Sequence, residues 1–131
     1  MNDSTKATFH NNSWWWGKTC TIVLEGGVGI IELQFDKTSP NTAFLSGLSV
    51  LPDSRNKGLG TTLLAMAAEY AEKHGYKFLQ MTAEKDKLWL VEWYKRLSFE
   101  VWEEKDNTYI LVTTVKLAKN SLVGALKSKN V

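Results

Sequence analysis

The stretch from Leu48 to Tyr70 constrains this chain most: an apolar run, a Pro52-Asp53-Ser54 turn, then Arg55-Asn56-Lys57-Gly58-Leu59-Gly60 opening an amphipathic pattern. The first main-chain N–H groups of a helix have no intrahelical partners, so such an end attracts anions. Gly58 and Gly60 keep Cβ atoms away from an approaching diphosphate, and the charges of Arg55 and Lys57 suit phosphate oxygens. By chemistry alone the loop is a phosphate cradle, although a lone Gly-x-Gly commonly serves only a turn.

Length and charge limit what can surround this loop. A chain of 131 residues with 44% hydrophobic side chains suits one domain with one core, which we expect over residues 1–131. Sixteen basic against 14 acidic residues, interspersed, form no stripe that would draw a nucleic acid. Cys20 is the sole cysteine, so neither an internal disulfide nor a cysteine-based zinc cluster is available. Neither His10 nor His74 has a metal partner at useful spacing, and no metal site is expected. The first residues lack a signal-peptide core and no later run is of membrane-spanning length, which points to a cytoplasmic protein without membrane contact.

Residues 1–17 read as an N-terminal arm, mobile or added at a sheet edge, because Met1 to Asn12 is polar and aperiodic. Three consecutive indoles, Trp14 to Trp16, cannot all face one core, and are read as a lid over the bottom of the sheet rather than a pocket wall or self-association patch. Thr19–Glu25 and Val28–Phe35 read as a hairpin closed by Gly26-Gly27, and Thr42–Leu51 as a third strand with Gly47 marking a bulge or a splay. Leu63, Ala67, Tyr70 and Ala71 recur at helical spacing up to a Gly75 stop. Lys77–Ala83 reads as a parallel strand, Asp86 as the cap of a second helix reaching Leu97, and Phe99–Glu103 with Thr108–Lys116 as a closing hairpin. Residues 118–131 read as a weakly packed tail.

This order resembles the GNAT superfamily of acyl-CoA-dependent N-acetyltransferases. Arg55 to Gly60 fits that family's Arg/Gln-x-x-Gly-x-Gly/Ala pyrophosphate motif. Leu48-Ser49-Val50-Leu51-Pro52 looks like the strand that pairs with pantetheine, and Tyr94 to Phe99 looks like the Tyr-x-x-x-Gly-Phe segment. Ser98 stands where the family usually has glycine, and Lys87 and Leu90 stand where an asparagine and a small residue are common. The resemblance implies a compact α+β fold with a mixed sheet of about six or seven strands and two main helices. Its N-terminal region is short, since the family usually places a first strand and two helices before the central hairpin. Either an open groove or a second subunit, as in a homodimer, would then wall the acceptor.

The resemblance further implies acetyl-CoA as acyl donor and a small-molecule or peptide amine as acceptor. Backbone amides of Lys57, Gly58, Leu59, Gly60 and Thr61, with the Arg55 side chain, would hold the diphosphate, and Leu48 and Val50 would offer main-chain groups to pantetheine. Tyr94 would protonate the departing thiolate; on spacing alone it reads as core packing. Glu32, Glu84 and Ser49 acting through water are the candidate bases, none marked by spacing. The alternative function is a catalytically reduced CoA-binding interaction module.

Overall fold

The computed structural model describes residues 6–129, with side chains through residue 122. Seven strands form one mixed sheet: β1 (Ala7–Trp14), β2 (Gly17–Leu24), β3 (Gly29–Asp36), β4 (Thr42–Val50), β5 (Phe78–Glu84), β6 (Glu100–Lys105) and β7 (Thr108–Thr114). Their order is β1-β2-β3-β4-β5-β7-β6. Helix α1 (Leu59–Lys73) joins β4 to β5, α2 (Leu88–Arg96) joins β5 to β6, and α3 (Val115–Lys129) follows β7. The β4–β5 pair is parallel and every other pair antiparallel.

Alternation along the strands decides which face the helices cover. Ile31, Leu33 and Phe35 of β3, Leu79 and Met81 of β5, and Leu111 of β7 are buried in one core. That core also holds Leu63, Leu64, Ala67 and Ala71 of α1, Val91 and Tyr94 of α2, and Ala118 and Leu122 of α3. All three helices therefore lie on one face. Strand neighbours of the core residues, among them Glu32, Gln34, Phe44, Phe78 and Gln80, point to the other face, which no described helix covers.

Turn chemistry sets the β2–β3 connection: Gly26 and Gly27 take φ of 80° and 70°, the left-handed pair that a tight hairpin turn needs. Between β1 and β2, a Cβ on Gly17 would lie 1.9 Å from the Phe35 carbonyl oxygen, so only glycine fits there.

Three expectations change, and one open alternative is decided. Within the arm expected over residues 1–17, of which 1–5 lie outside the described residues, Ala7–Trp14 takes the sheet-edge alternative as β1, fully in register with β2. It lacks an apolar rhythm because an edge strand need contribute little to the core; Phe9 stacks on Tyr70 at 5.9 Å, and Tyr70 Oη donates to Asn11 Oδ1 at 2.7 Å. Of the weak tail expected over 118–131, residues 118–129 belong to α3, which packs beside α1 through buried Ala118 and Leu122 and pairs Lys119 with Glu72 at 2.6 Å; 130–131 lie outside the described residues. Helix α2 begins after Lys87 with no side-chain cap, because Asp86 is used in the turn closed by Lys87 N–H to the Glu84 carbonyl. Trp14 and Trp15 are exposed at the β1–β2 turn rather than closing over the sheet, whereas Trp16 is half-buried beside Gln34 and Phe44. Leu122→Ala should lower unfolding free energy by about 2–4 kcal/mol in denaturant melts, the cost of a buried leucine; a loose tail would give almost none.

Candidate functional site

The site begins where β4 and β5 part. Their pairing is limited to Thr42–Phe78, Ala43–Leu79 and Phe44–Gln80, although β4 runs on to Val50 and β5 to Glu84. From Leu45 onward β4 has no strand on its β5 side. A register shift at Glu32/Leu33, where Leu33 faces Leu45 and Glu32 faces Gly47, leaves Ser46 as the bulged residue at the point of parting. Of the two expectations at Gly47, a bulge and a splay, the bulge is centred one residue earlier and the parting from β5 begins beyond Phe44.

The loop after β4 delivers the start of α1 to this opening. Asn56 and Gly58 have φ of 65° and 78°, and Gly58 is the N-cap, without any side-chain cap bond. The first helical bond runs from Thr62 N–H to the Gly58 carbonyl at 3.0 Å, and Thr62 Oγ1 donates to the same oxygen at 3.0 Å. The amides of Lys57, Gly58, Leu59, Gly60 and Thr61 consequently have no acceptor among the described residues. Beside them a methyl placed on Gly60 would meet nothing closer than Trp93 Cη2 at 3.9 Å, so α2 walls the cradle.

Arg55 is exposed, and its Nε donates to the Val50 carbonyl at 3.0 Å. This bond fixes the loop to the end of β4 and occupies the Val50 oxygen; the terminal nitrogens of the guanidinium stay free of bonds among the described residues. Lys57 is exposed. Leu48 and Val50 lie on the part of β4 that has left β5, with their other edge paired to Ile31 and Gly29.

Tyr94 is buried on α2, its ring edge-on to Trp93 at 4.8 Å and to Phe99 at 5.2 Å. Burial raises its phenol well above the ordinary value, so it keeps its proton across the physiological range. The helix ends with Ser98 at φ 75° in the left-handed conformation that suits glycine. The Phe99 N–H returns to the Tyr94 carbonyl at 3.1 Å, and Ser98 Oγ bonds Ser121 Oγ at 2.6 Å.

The candidate bases separate. Glu32 is half-buried on the uncovered face beside the bulge, and Ser49 lies on that face opposite Ile30. Glu84 ends β5, exposed and 3.8 Å from Lys87 Nζ. Sequence reasoning missed the row Gln34–Phe44–Gln80–Val112–Glu100, which crosses β3, β4, β5, β7 and β6 beneath the parting. A cavity of about 750 Å³ opens at the β5–β7–β6 end of this row, on the paired side of β4 and β5, lined by Thr42, Phe78, Gln80, Val112, Glu100 and Trp102 and reaching Lys95 and Ser98. Only cross-strand register brings these residues together, and sequence spacing does not carry it. Among the described residues no cluster of three His, Cys, Asp or Glu side chains is placed to hold a metal ion, and no helix is long and apolar enough to cross a membrane.

A Gly60→Ala variant should fold at least as stably as the parent, gaining up to about 1 kcal/mol from helix propensity. A Gly58→Ala variant should lose about 1–2 kcal/mol to its left-handed backbone. Thermal melts of the two, measured without ligand, check this ordering.

The model of the acetyltransferase (GNAT) family matches residues 2–99. An uncharacterized N-acetyltransferase of Methanocaldococcus jannaschii is 41% identical over 49 residues, 37% of this chain and 22% of the relative. Among solved structures, PaiA N-acetyltransferase from Thermoplasma acidophilum in complex with coenzyme A superposes with a TM-score of 0.67 at 21% identity, covering 73% of this chain and 60% of that one. The spermidine/spermine N-acetyltransferase SpeG from Vibrio cholerae gives 0.67 at 15% identity, over 78% of this chain and 67% of that one. At these identities the likeness is one of fold. The chain spans about a fifth of the curated relative and three-fifths of the PaiA chain.

Proposed function

Because the chain belongs to the acetyltransferase (GNAT) family, we propose that it transfers an acetyl group from acetyl-CoA to the primary amine of an acceptor by direct attack. The observation that carries this reading is the set of five consecutive partnerless amides, Lys57 to Thr61, standing where β4 and β5 part. A diphosphate suits them in charge, in hydrogen-bonding capacity and in the absence of Cβ atoms at Gly58 and Gly60. The Arg55 guanidinium, held by Val50, adds a fixed cation, while the free edge of β4 around Leu48 offers main-chain groups to an extended amide-bearing arm. That a protein of like fold, PaiA, is in complex with coenzyme A supports a CoA donor.

Acetyl-CoA, when bound, supplies a thioester whose carbon–sulfur bond breaks as the carbon–nitrogen bond to the amine forms. Tyr94 Oη then gives its proton to the leaving sulfur and regains one from solvent; burial keeps the phenol protonated at neutral pH and also makes it a weaker acid than a free tyrosine. Glu32, directly or through water, takes the proton that the amine loses, in preference to Glu84, whose carboxylate lies beside Lys87. The acceptor occupies the cavity on the uncovered face, where Glu100 offers a negative charge and Phe78 and Trp102 offer aromatic surface to an ammonium group before deprotonation. A cytoplasmic setting, where acetyl-CoA is made available, is part of the same proposal.

The test is thermal stabilisation by acetyl-CoA, followed by thiol release with a panel of amines and peptides. With the best acceptor, Tyr94→Phe should lower kcat by about 10²-fold or more while leaving acetyl-CoA affinity nearly unchanged. Stabilisation by acetyl-CoA without thiol release from any acceptor would favour a CoA-binding interaction module instead.

A further inference from the structure

Helix α2 carries two indoles one turn apart, and only one of them packs on the core. Trp93 meets Tyr94 edge-on at 4.8 Å, and its Cη2 lies 3.9 Å from where a Cβ on Gly60 would stand, so it is level with the amide cradle. Trp89 precedes it by four residues, which puts both on the flank of α2 that is turned toward the start of α1, with Trp89 about 6 Å nearer the beginning of its helix. Trp89 is 71% exposed, lies outside the core, and among the described residues stacks on no other aromatic ring. A lone exposed indole needs no explanation, but this one continues the wall of a ligand cradle.

Chain direction decides which part of a ligand would meet it. Strands β4 and β5 are parallel, α1 follows the end of β4, and α2 follows the end of β5, so the first turns of both helices stand at the same end of the sheet. With a diphosphate on the amides of Lys57 to Thr61 and the pantetheine arm running back along β4 from Val50 toward Leu48, the other substituent of the diphosphate has to leave in the opposite direction. That direction leads past Trp93 to Trp89. We propose that the exposed face of Trp89 is a stacking platform for the adenine of coenzyme A, and that it makes the chain select acyl groups carried on coenzyme A over those carried on a phosphopantetheine arm without a nucleotide. The platform presupposes the acetyl-CoA reading, to which it adds a residue at the far end of the donor. An indole offers a purine a flat π-surface of similar size, and the loss of such a stack on substitution by alanine lowers affinity by about tenfold or more.

Isothermal titration of the full chain with coenzyme A and with phosphopantetheine tests this. Trp89→Ala should weaken coenzyme A binding by about tenfold or more and leave phosphopantetheine binding unchanged, whereas Trp89→Phe should keep most of the affinity for coenzyme A. Both variants should give the circular dichroism of the parent, because Trp89 lies outside the core. Fluorescence supplies a second readout: saturating coenzyme A should quench the parent more than it quenches Trp89→Phe. Should phosphopantetheine bind the parent too weakly to measure, the coenzyme A affinity of Trp89→Ala and the difference in quenching decide together. Unaltered coenzyme A affinity in Trp89→Ala, an equal loss for both ligands, or equal quenching in the parent and Trp89→Phe would overturn the platform and leave the acetyl-CoA reading standing. A parent that binds neither ligand would overturn both.

Discussion

Everything at the candidate site depends on two parallel strands that pair for three residues and then separate. Had β4 and β5 stayed paired to their ends, the main-chain groups of Leu45 to Val50 would be consumed in a ladder and the sheet would present no opening. The bulge at Ser46 supplies the local bend, and Arg55 secures the far end by bonding the Val50 carbonyl. Main-chain groups left without partners cost about 1–3 kcal/mol each when buried, so this part of β4 stays accessible, and accessibility is what allows a ligand to complete it. The same argument covers the start of α1, where a left-handed Gly58 turns five amides into the opening without a side chain to cap them.

The second constraint is one-sidedness. With α1, α2 and α3 on one face, the helices build a core that fixes the cradle, the Trp93 wall and Tyr94 in relation to one another. The opposite face keeps its alternate residues free, and the cavity lined by Thr42, Phe78, Gln80, Val112 and Glu100 lies there.

Much of this was legible in the sequence because it is local. The Arg55–Gly60 loop, the α1 stripe and the Gly26-Gly27 turn each depend on neighbours within a few residues, and the structure has each of them near its expected place. What sequence did not carry is long-range. β1 has no apolar alternation because its partner is a strand on one side and solvent on the other, and among its described side chains α3 buries Val115, Ala118 and Leu122, too sparse to mark a packed helix. Glu32 and Glu84 look alike as sequence; register puts the first beside the bulge and the Lys87 ion pair draws off the second. The Gln34–Glu100 row depends on the pairing of five strands and has no signature along the chain. Ser98 shows the reverse case: a residue that departs from the family's glycine still adopts the left-handed φ, with its hydroxyl bonded to Ser121.

The central claim is that the partnerless amides at the start of α1 bind a diphosphate. Amide NMR of the labelled chain during titration with coenzyme A measures it directly. The account predicts that the largest shifts, toward stronger hydrogen bonding, fall on the amides of Lys57, Gly58, Leu59, Gly60 and Thr61. Saturable binding that leaves those five amides unmoved while shifting others would contradict it.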